Sequence, residues 1–343
     1  MGDARQMTGL GDDTIDLIVT SPPYPMITMW DALFGELDGD ITRELEATDG
    51  NRAFESMHAI LDAVWAESWR VVRPGGIVCI NVGDATRTIG GNFQLFSNHA
   101  RIIRAMNRIG FSSLPDILWR KPTNAPNKFM GSGMLPAGAY VTYEHEYVLI
   151  FRKGPKRAFA TAESKARRRR SAFFWEERNQ WFSDLWSDLR GVSQPLGDPD
   201  TRSRSAAFPF ELAYRLIQMH SVQDDTVLDP FAGLGTTMAA ALASGRHSCG
   251  VERDASLAAP ISQVLEASLE FGSWRAHQRL SDHRDFVEAR IAAGKSFKHR
   301  HERLGFPVVT SQETDLEFIV PRSLRAGGRG TWEAELEAVT VAE

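Results

Sequence analysis

Cysteine is almost missing from this 343-residue sequence: Cys79 and Cys249 are the two present, each inside an apolar run. Without paired spacings, a disulfide framework and a zinc ligand set are both excluded. The two thiols are expected in the reduced state, buried in strands, and no metal site is expected. Long apolar runs are also lacking. None approaches the roughly 18 residues that a bilayer span needs, and the first residues are polar rather than signal-like. A soluble protein of cytoplasmic type, with no membrane partner, is the expectation. An overall excess of positive charge is missing too. The net charge of −5 does not mark a nucleic-acid binder, but the average conceals an asymmetry. Arg152 to Arg190 holds eleven Lys or Arg against five Asp or Glu, a local +6 that leaves −11 for the rest. A basic segment on an acidic body can still be an electrostatic footprint for phosphates.

What is present is enough for a sizeable core: 43% of residues are hydrophobic, and the length suits one large domain plus a smaller one. Ile15 to Thr20 is β-branched, ends at a Ser-Pro-Pro punctuation, and reads as a strand. Phe54, Met57, Ile60, Leu61, Val64, Trp65, Trp69 and Val72 fall at helical spacing. Arg73-Pro74-Gly75-Gly76 ends that helix, and Ile77 to Val82 is a buried strand. A second helix is expected over Phe93 to Ile109, with strands at Ile117 to Trp119 and Tyr147 to Phe151. A helix over Phe210 to His220, with Pro209 in its first turn, leads into a strand over Asp225 to Asp229. A glycine-containing turn, a helix over Thr236 to Ala243 and a strand over Ser248 to Glu252 follow. Strands alternating with helices mean an α/β fold, a doubly wound, mainly parallel sheet covered on both faces. Beyond Ser273 the pattern weakens; Val308-Val309, Leu316 to Val320 and Trp332 to Val341 suggest a few antiparallel strands.

Two constellations carry chemistry. In Asp229-Pro230-Phe231-Ala232-Gly233-Leu234-Gly235-Thr236-Thr237 a strand ends, the chain turns tightly and a helix begins. Gly233 and Gly235 let the backbone approach a ligand at the strand's carboxyl edge. The spacing is not the dinucleotide fingerprint, and no Lys-Ser/Thr pair follows as a phosphate loop requires. Glu252, at the end of the next strand, stands where an acidic residue grips ribose hydroxyls in doubly wound folds. An ordinary strand–turn–helix with a surface glutamate is the plain alternative. The second constellation is Ser21-Pro22-Pro23-Tyr24, directly after the first strand. Two prolines stiffen the turn and remove two amide donors, so its carbonyls act as acceptors. Ser21 adds another acceptor and Tyr24 a flat face, a set suited to holding a planar base by its amino group. A Pro-Pro loop with a packed tyrosine is the plain alternative here.

Together the two motifs resemble those of the β-group bacterial DNA amino-methyltransferases, which modify cytosine N4 or adenine N6. Serine in the first place of Ser21-Pro22-Pro23-Tyr24 resembles the cytosine-N4 branch, aspartate being usual for adenine N6. Gly2-Asp3 resembles the acidic site for the cofactor's adenine amino group, although the strand that should lead into Asp3 is missing before it. Arg73-Pro74-Gly75-Gly76, the strand from Glu144 to Lys153, and Phe208-Pro209-Phe210-Glu211-Leu212 resemble further family segments. Arg204 stands where relatives often carry a histidine. The order, catalytic motif first and cofactor motif last, resembles the circularly permuted β arrangement. The resemblance implies a methyltransferase Rossmann-like fold. Residues 1–153 would be the catalytic half, 154–199 an inserted target-recognition region, 200–272 the cofactor-binding half and 273–343 a C-terminal appendage.

It further implies S-adenosyl-L-methionine as cofactor, bound by Asp3, Asp229, Pro230, Phe231, Gly233, Gly235, Thr236 and Glu252. Ser21, Pro22, Pro23 and Tyr24 would be catalytic. Ser21 and the Pro22 carbonyl would take the amino N–H groups, returning the nitrogen lone pair while Tyr24 stacks on a flipped-out base. Double-stranded DNA would be the partner, with Arg167, Arg168, Arg169, Arg170 and Lys121 meeting it; a solvated helix face is the plain reading of that charge run. A cognate restriction endonuclease acting separately and a homodimer are compatible with the resemblance. His99 and His220 read as structural. Adenine N6 as target, RNA or protein as substrate, and a catalytically dead binding fold are the alternatives.

Overall fold

In the computed structural model, residues 1–121, 130–189, 208–328 and 330–340 are described. Arg190 and Arg204 therefore lie outside the described residues.

The strands in chain order are β1 (Ile15–Thr20), β2 (Val72–Val82), the hairpin β3 (Ala85–Ile89) and β4 (Asn92–Phe96), β5 (Ser112–Ser113), and β6 (Ile117–Arg120). Then come the short hairpin β7 (Met130–Gly131) and β8 (Ala139–Tyr140), β9 (His145–Arg152), β10 (Leu185–Trp186), β11 (Thr226–Asp229) and β12 (His247–Gly250). The short pair β13 (His299–Arg300) and β14 (Pro307–Val308) and the long hairpin β15 (Ile319–Gly328) and β16 (Thr331–Ala338) end the chain. The helices are α1 (Asp31–Leu37), α2 (Gly39–Glu46), α3 (Gly50–Val71), α4 (Asn98–Ile109), α5 (Ala162–Arg170), α6 (Trp175–Trp181), α7 (Phe210–His220), α8 (Thr236–Leu242) and α9 (Ala258–Ala292).

One sheet organises the molecule, in the order β10-β6-β9-β2-β1-β11-β12, with β5 beside β9. β9 runs against its neighbours β2 and β6, while β2, β1, β11 and β12 pair in parallel. The expected mainly parallel α/β sheet is therefore the fold. β1 is buried on both faces because both are covered. Ile18, Val78 and Ile80 join the core under α3 and α4, where Met57, Leu61 and Trp65 pack. Leu17, Val19 and Cys79 face the other way, onto Leu212, Leu216 and Ile217 of α7 and Ala240 and Ala241 of α8. Cys79 is buried and Cys249 half-buried, both free. Among the described residues no helix is long and apolar enough to cross a membrane.

Several expectations need correction. The helix expected from Phe93 begins only at Asn98; Asn92–Phe96 is instead a strand paired with Ala85–Ile89. Phe93 stacks on Tyr140 (4.6 Å between ring centroids, 20° between planes), so its apolar face is used outside the helix. Pro209 is the N-cap of α7 rather than part of its first turn. The largest departure is α9, a 35-residue helix that continues through Ser273, where the periodicity weakens. Its buried stripe holds Ser268, Gly272, Arg279 and His283 among the apolar residues, so helical spacing is present without a hydrophobic signal. At Gly272 a Cβ would stand 2.8 Å from Ala243 Cβ, so glycine is what lets α9 approach α8.

The segments expected as 154–199 and 273–343 also share one core. Phe174 packs with Ala276, Leu280, Val308, Leu316, Phe318 and Val320. Arg279 reaches both oxygens of Glu177, at 2.6 and 2.7 Å, inside the protein. The expected boundary at 272/273 falls within α9, which ties the segment expected as inserted to the one expected as 200–272.

Candidate active site

β1 connects to β2 through α3, whereas β11 connects to β12 through α8 on the other side. The adjacent carboxyl ends of β1 and β11 thus form a topological switch point, the place where open α/β sheets bind ligands. Ser21-Pro22-Pro23-Tyr24 leaves the end of β1, and Asp229-Pro230-Phe231 leaves the end of β11. The sheet register therefore sets the two motifs side by side.

Their junction is Asp229. Thr20 Oγ1 donates to Asp229 Oδ1 at 2.6 Å, Thr237 Oγ1 to Oδ2 at 2.7 Å, and the Phe231 amide to Oδ1 at 3.0 Å. Burial raises the Asp229 carboxyl to about 6, against the opposing pull of these hydrogen bonds, with nearby Glu252 adding to the rise. All three donors come from the protein, so this carboxylate fixes the turn, the loop and the start of α8 together.

The loop around it is open where a ligand would need space. Gly233 has φ +51°, and a Cβ there would meet only the Phe231 carbonyl oxygen, at 3.9 Å. Gly235, at φ +87°, is the left-handed N-cap of α8. Pro230 is buried and the Phe231 ring stands edge-on to Trp65 at 6.3 Å. Thr236, the first residue of α8, is buried. Glu252 Oε2 accepts from the Gly233 amide (2.9 Å) and Oε1 from the Asp254 amide (2.8 Å). The Gly2 amide donates to the Glu252 carbonyl at 2.8 Å, which seats Asp3 beside the same strand end. Arg5 clasps the Asp3 carboxylate, its Nη2 2.6 Å away, and holds that carboxyl below its usual range. Phe210 packs against the cluster containing Ala232 and Met238, so the start of α7 borders the loop.

On the other side, Ser21, Pro23 and Tyr24 are half-buried and Pro22 is buried. The Tyr24 hydroxyl sits 3.0 Å from Ser21 Oγ, donates to Glu146 Oε2 (3.1 Å) and accepts from Asn81 Nδ2 (2.9 Å). Asn81 also donates to Glu146 Oε2 at 2.6 Å, and Lys121 Nζ to Glu146 Oε1 at 2.6 Å. Burial, with Glu146 close by, keeps the Tyr24 phenol protonated far above its usual range. The turn is braced from behind by Asn98, which donates to the carbonyls of Pro25 (3.1 Å) and Gly83 (3.0 Å). His58 meets Asn98 Oδ1 at 3.0 Å, and burial lowers its imidazole to about 4, so it is neutral at pH 7.

Asn81, Asn98, His58 and Glu146 are absent from the sequence-based site. A carboxylate at the head of the apolar run Tyr147 to Phe151, and an asparagine inside the buried strand Ile77 to Val82, were the available signals. His99, read as structural, has Nδ1 2.7 Å from Asp84 Oδ2 and stacks on Tyr147. His220 is half-buried, and desolvation of its ring lowers it to about 4.

The basic residues divide. Lys121 follows β6 on the side of the sheet that carries Ser21 and Tyr24, beside Glu146. Arg167 to Arg170 end α5, which packs at the opposite edge of the sheet. There Ser171 Oγ accepts from the Gln223 amide (2.8 Å), just before β11 begins. Arg170 lies 3.4 Å from Glu317, Arg169 3.4 Å from Asp315 and Arg167 3.9 Å from Asp224, while Arg168 lies over Phe159. The run is thus engaged by the body of the protein, away from Ser21 and Tyr24. Among the described residues no cluster of His, Cys, Asp or Glu could hold a metal.

A family described as DNA methylase, of the N6/N4 methyltransferase type, matches residues 15–263. The Type II methyltransferase M.MthZI of Methanothermobacter thermautotrophicus is 50% identical over 323 residues, 94% of this chain and 90% of that protein. M.MjaI of Methanocaldococcus jannaschii, also a Type II methyltransferase, is 48% identical over 275 residues, 77% of this chain and 89% of that protein. Among solved structures, a Thermus thermophilus protein described as a DNA modification methylase, in complex with S-adenosyl-L-methionine, aligns with TM-score 0.60 and 32% identity. The alignment covers 78% of this chain and 94% of that one.

Proposed function

The chain belongs to the N6/N4 DNA methylase family and is an S-adenosylmethionine-dependent DNA methyltransferase, and from that premise we propose that it methylates the N4 amino group of cytosine in duplex DNA. The observation that carries this reading is the pairing of motifs across the Thr20–Asp229 hydrogen bond, with a serine at the head of the acceptor turn.

S-adenosyl-L-methionine supplies a methyl group on a sulfonium that is already activated. The residues at the end of β11 and β12 suit it: the open backbone at Gly233, the apolar face of Phe231, and the carboxylates of Glu252 and Asp3. Asp229 acts there by holding the loop, since its oxygens are taken by Thr20, Thr237 and Phe231. An exocyclic amino nitrogen is a poor nucleophile because its lone pair is delocalised into the ring. Ser21 Oγ and the Pro22 carbonyl accept its two N–H groups, favour a tetrahedral nitrogen and aim the lone pair. Among the described residues, no protein donor takes the Pro22 carbonyl. Tyr24 offers its face to the base. Holding donor and acceptor in line is a positioning effect, and the target base must first leave the stack.

Lys121, beside Glu146 and half exposed, is the basic residue this reading assigns to DNA near the flipped base. A cognate endonuclease acting as a separate protein is the expected biological companion, in line with the Type II designation of the two relatives. Sequencing of host DNA after expression, with N4-methylcytosine and N6-methyladenine scored separately, tests the reading. N4-methylcytosine at one recurring sequence supports it, and N6-methyladenine replaces it with the other branch of the family.

A further inference from the structure

The site accounts for holding an amino group but not yet for the proton that must leave it. The geometry points to Glu146 as the residue that sets Ser21 as an acceptor and takes up that proton, acting through the Tyr24 hydroxyl. This inference rests on the reading of Ser21 to Tyr24 as the amino-acceptor turn.

The direction of the hydrogen bonds follows from counting protons. The Tyr24 hydroxyl has one proton, and a carboxylate has none. That proton lies on the bond to Glu146 Oε2, 3.1 Å away. The 3.0 Å contact between Ser21 Oγ and Tyr24 must then be donated by Ser21. With its own proton committed inward, the lone pairs of Ser21 Oγ are left for an N–H outside. Asn81 Nδ2 donates to both Tyr24 (2.9 Å) and Glu146 (2.6 Å), so it cannot reverse the order. Lys121, 2.6 Å from the other Glu146 oxygen, keeps that carboxylate beside a positive charge. At Gly83 a Cβ would stand 3.1 Å from the Tyr24 ring and 3.3 Å from Glu146 Cγ, so the strand backbone walls the pair in.

The step balances as follows. The target nitrogen's lone pair forms the new N–C bond, and the methyl's bond to sulfur breaks with its electron pair left on sulfur. The nitrogen now carries one proton too many and passes it to Ser21 Oγ. The Ser21 proton moves to Tyr24, and the Tyr24 proton moves to Glu146, which ends neutral. Reversal of the chain after product release gives the proton to solvent.

The titratable groups facing Glu146 are Lys121 from the end of β6 and Tyr24 from the turn after β1. Tyr147, next along β9, stacks on His99, which Asp84 holds. His99 is itself titratable, so the informative quantity is the difference between wild type and Glu146→Gln.

Full-length protein with duplex DNA tests this. Glu146→Gln should lower kcat by about 100-fold, the low end of acid–base contributions. Its affinity for S-adenosylhomocysteine and its DNA KM should be unchanged, and the acid limb of the wild-type kcat profile should disappear. Glu146→Asp should recover part of the rate. Tyr24→Phe keeps the ring and every Glu146 contact except the hydroxyl, and should show the same kcat loss. A downfield hydroxyl proton resonance, present in the wild type without cofactor, should vanish in Tyr24→Phe and shift in Glu146→Gln. Were Glu146→Gln to lose cofactor binding, Tyr24→Phe decides. Wild-type kcat and an unchanged pH profile in both variants overturn the relay. A wild-type protein that methylates no DNA overturns instead the reading on which it rests.

Discussion

Thr20 Oγ1 and Asp229 Oδ1 lie 2.6 Å apart in the core, joining residues separated by 209 positions at the point where two motifs meet. Replacing Thr20 by valine removes one of the donors to a buried carboxylate at nearly constant volume. A loss of about 1–3 kcal/mol is expected, the usual cost of an unmet buried polar group. The pH dependence has a fixed sign. Burial raises the Asp229 carboxyl to about 6, above its unfolded value, so its contribution is fully present at acid pH and is lost as pH rises through about 6. Thr20→Val raises that value further, so the deficit should be larger at pH 8 than at pH 5. Denaturant titrations at both values check it, and a deficit independent of pH removes Asp229 from the account.

Gly233 tests the cofactor loop. Its φ of +51° disfavours any side chain, and the space where a Cβ would point is open. Gly233→Val should fold with a modest loss, on the order of 1–2 kcal/mol from the left-handed backbone. Its affinity for S-adenosyl-L-methionine should fall sharply because the side chain fills that space. Calorimetric titration of the folded variant reads this, and unchanged affinity moves the cofactor elsewhere.

For the four arginines of α5 the structure leads to a prediction opposite to their sequence expectation. Three of them sit on Asp224, Asp315 and Glu317, at the sheet edge away from Tyr24. Alanine at Arg167, Arg168, Arg169 and Arg170 together should leave the slope of log K against log salt for DNA binding unchanged. Stability should fall by about 0–1 kcal/mol for each exposed pair. A slope reduced by about 0.9 for each arginine would restore them as phosphate contacts.

Arg279 tests whether α6 and α9, with the C-terminal segment, are one body. Removing it leaves Glu177 buried without its charge partner. Arg279→Ala should cost about 3–5 kcal/mol, whereas replacing both partners by apolar residues of similar volume should cost far less. Protease cutting in α6 and α9 should rise together in the single variant. Independent cutting would separate the two segments.

The central strands were legible because each carries a run of apolar residues bounded by proline or glycine, as at Thr20-Ser21-Pro22 and Phe231-Ala232-Gly233. The two motifs stood out for the same reason. Long-range pairing was not legible. Nothing local to Glu146 marks its contact with Tyr24, which depends on β9 lying beside β2 in a fixed register. α9 was hidden because its buried stripe includes Ser268, Gly272, Arg279 and His283. The surroundings of the arginine run were hidden for a related reason: charge is visible in sequence, but the carboxylates that meet it come from Asp224, Asp315 and Glu317.

The central claim is that Ser21 to Tyr24 and the Asp229 loop bring a cytosine amino group and a methyl donor together. Purified protein, duplex DNA and S-adenosyl-L-methionine labelled in the methyl group test it most directly, by digestion to nucleosides and identification of the labelled species by mass spectrometry. The account predicts label in N4-methylcytosine, and its loss in Tyr24→Ala with cofactor affinity retained. Label in N6-methyladenine, or full labelling by Tyr24→Ala, would contradict it.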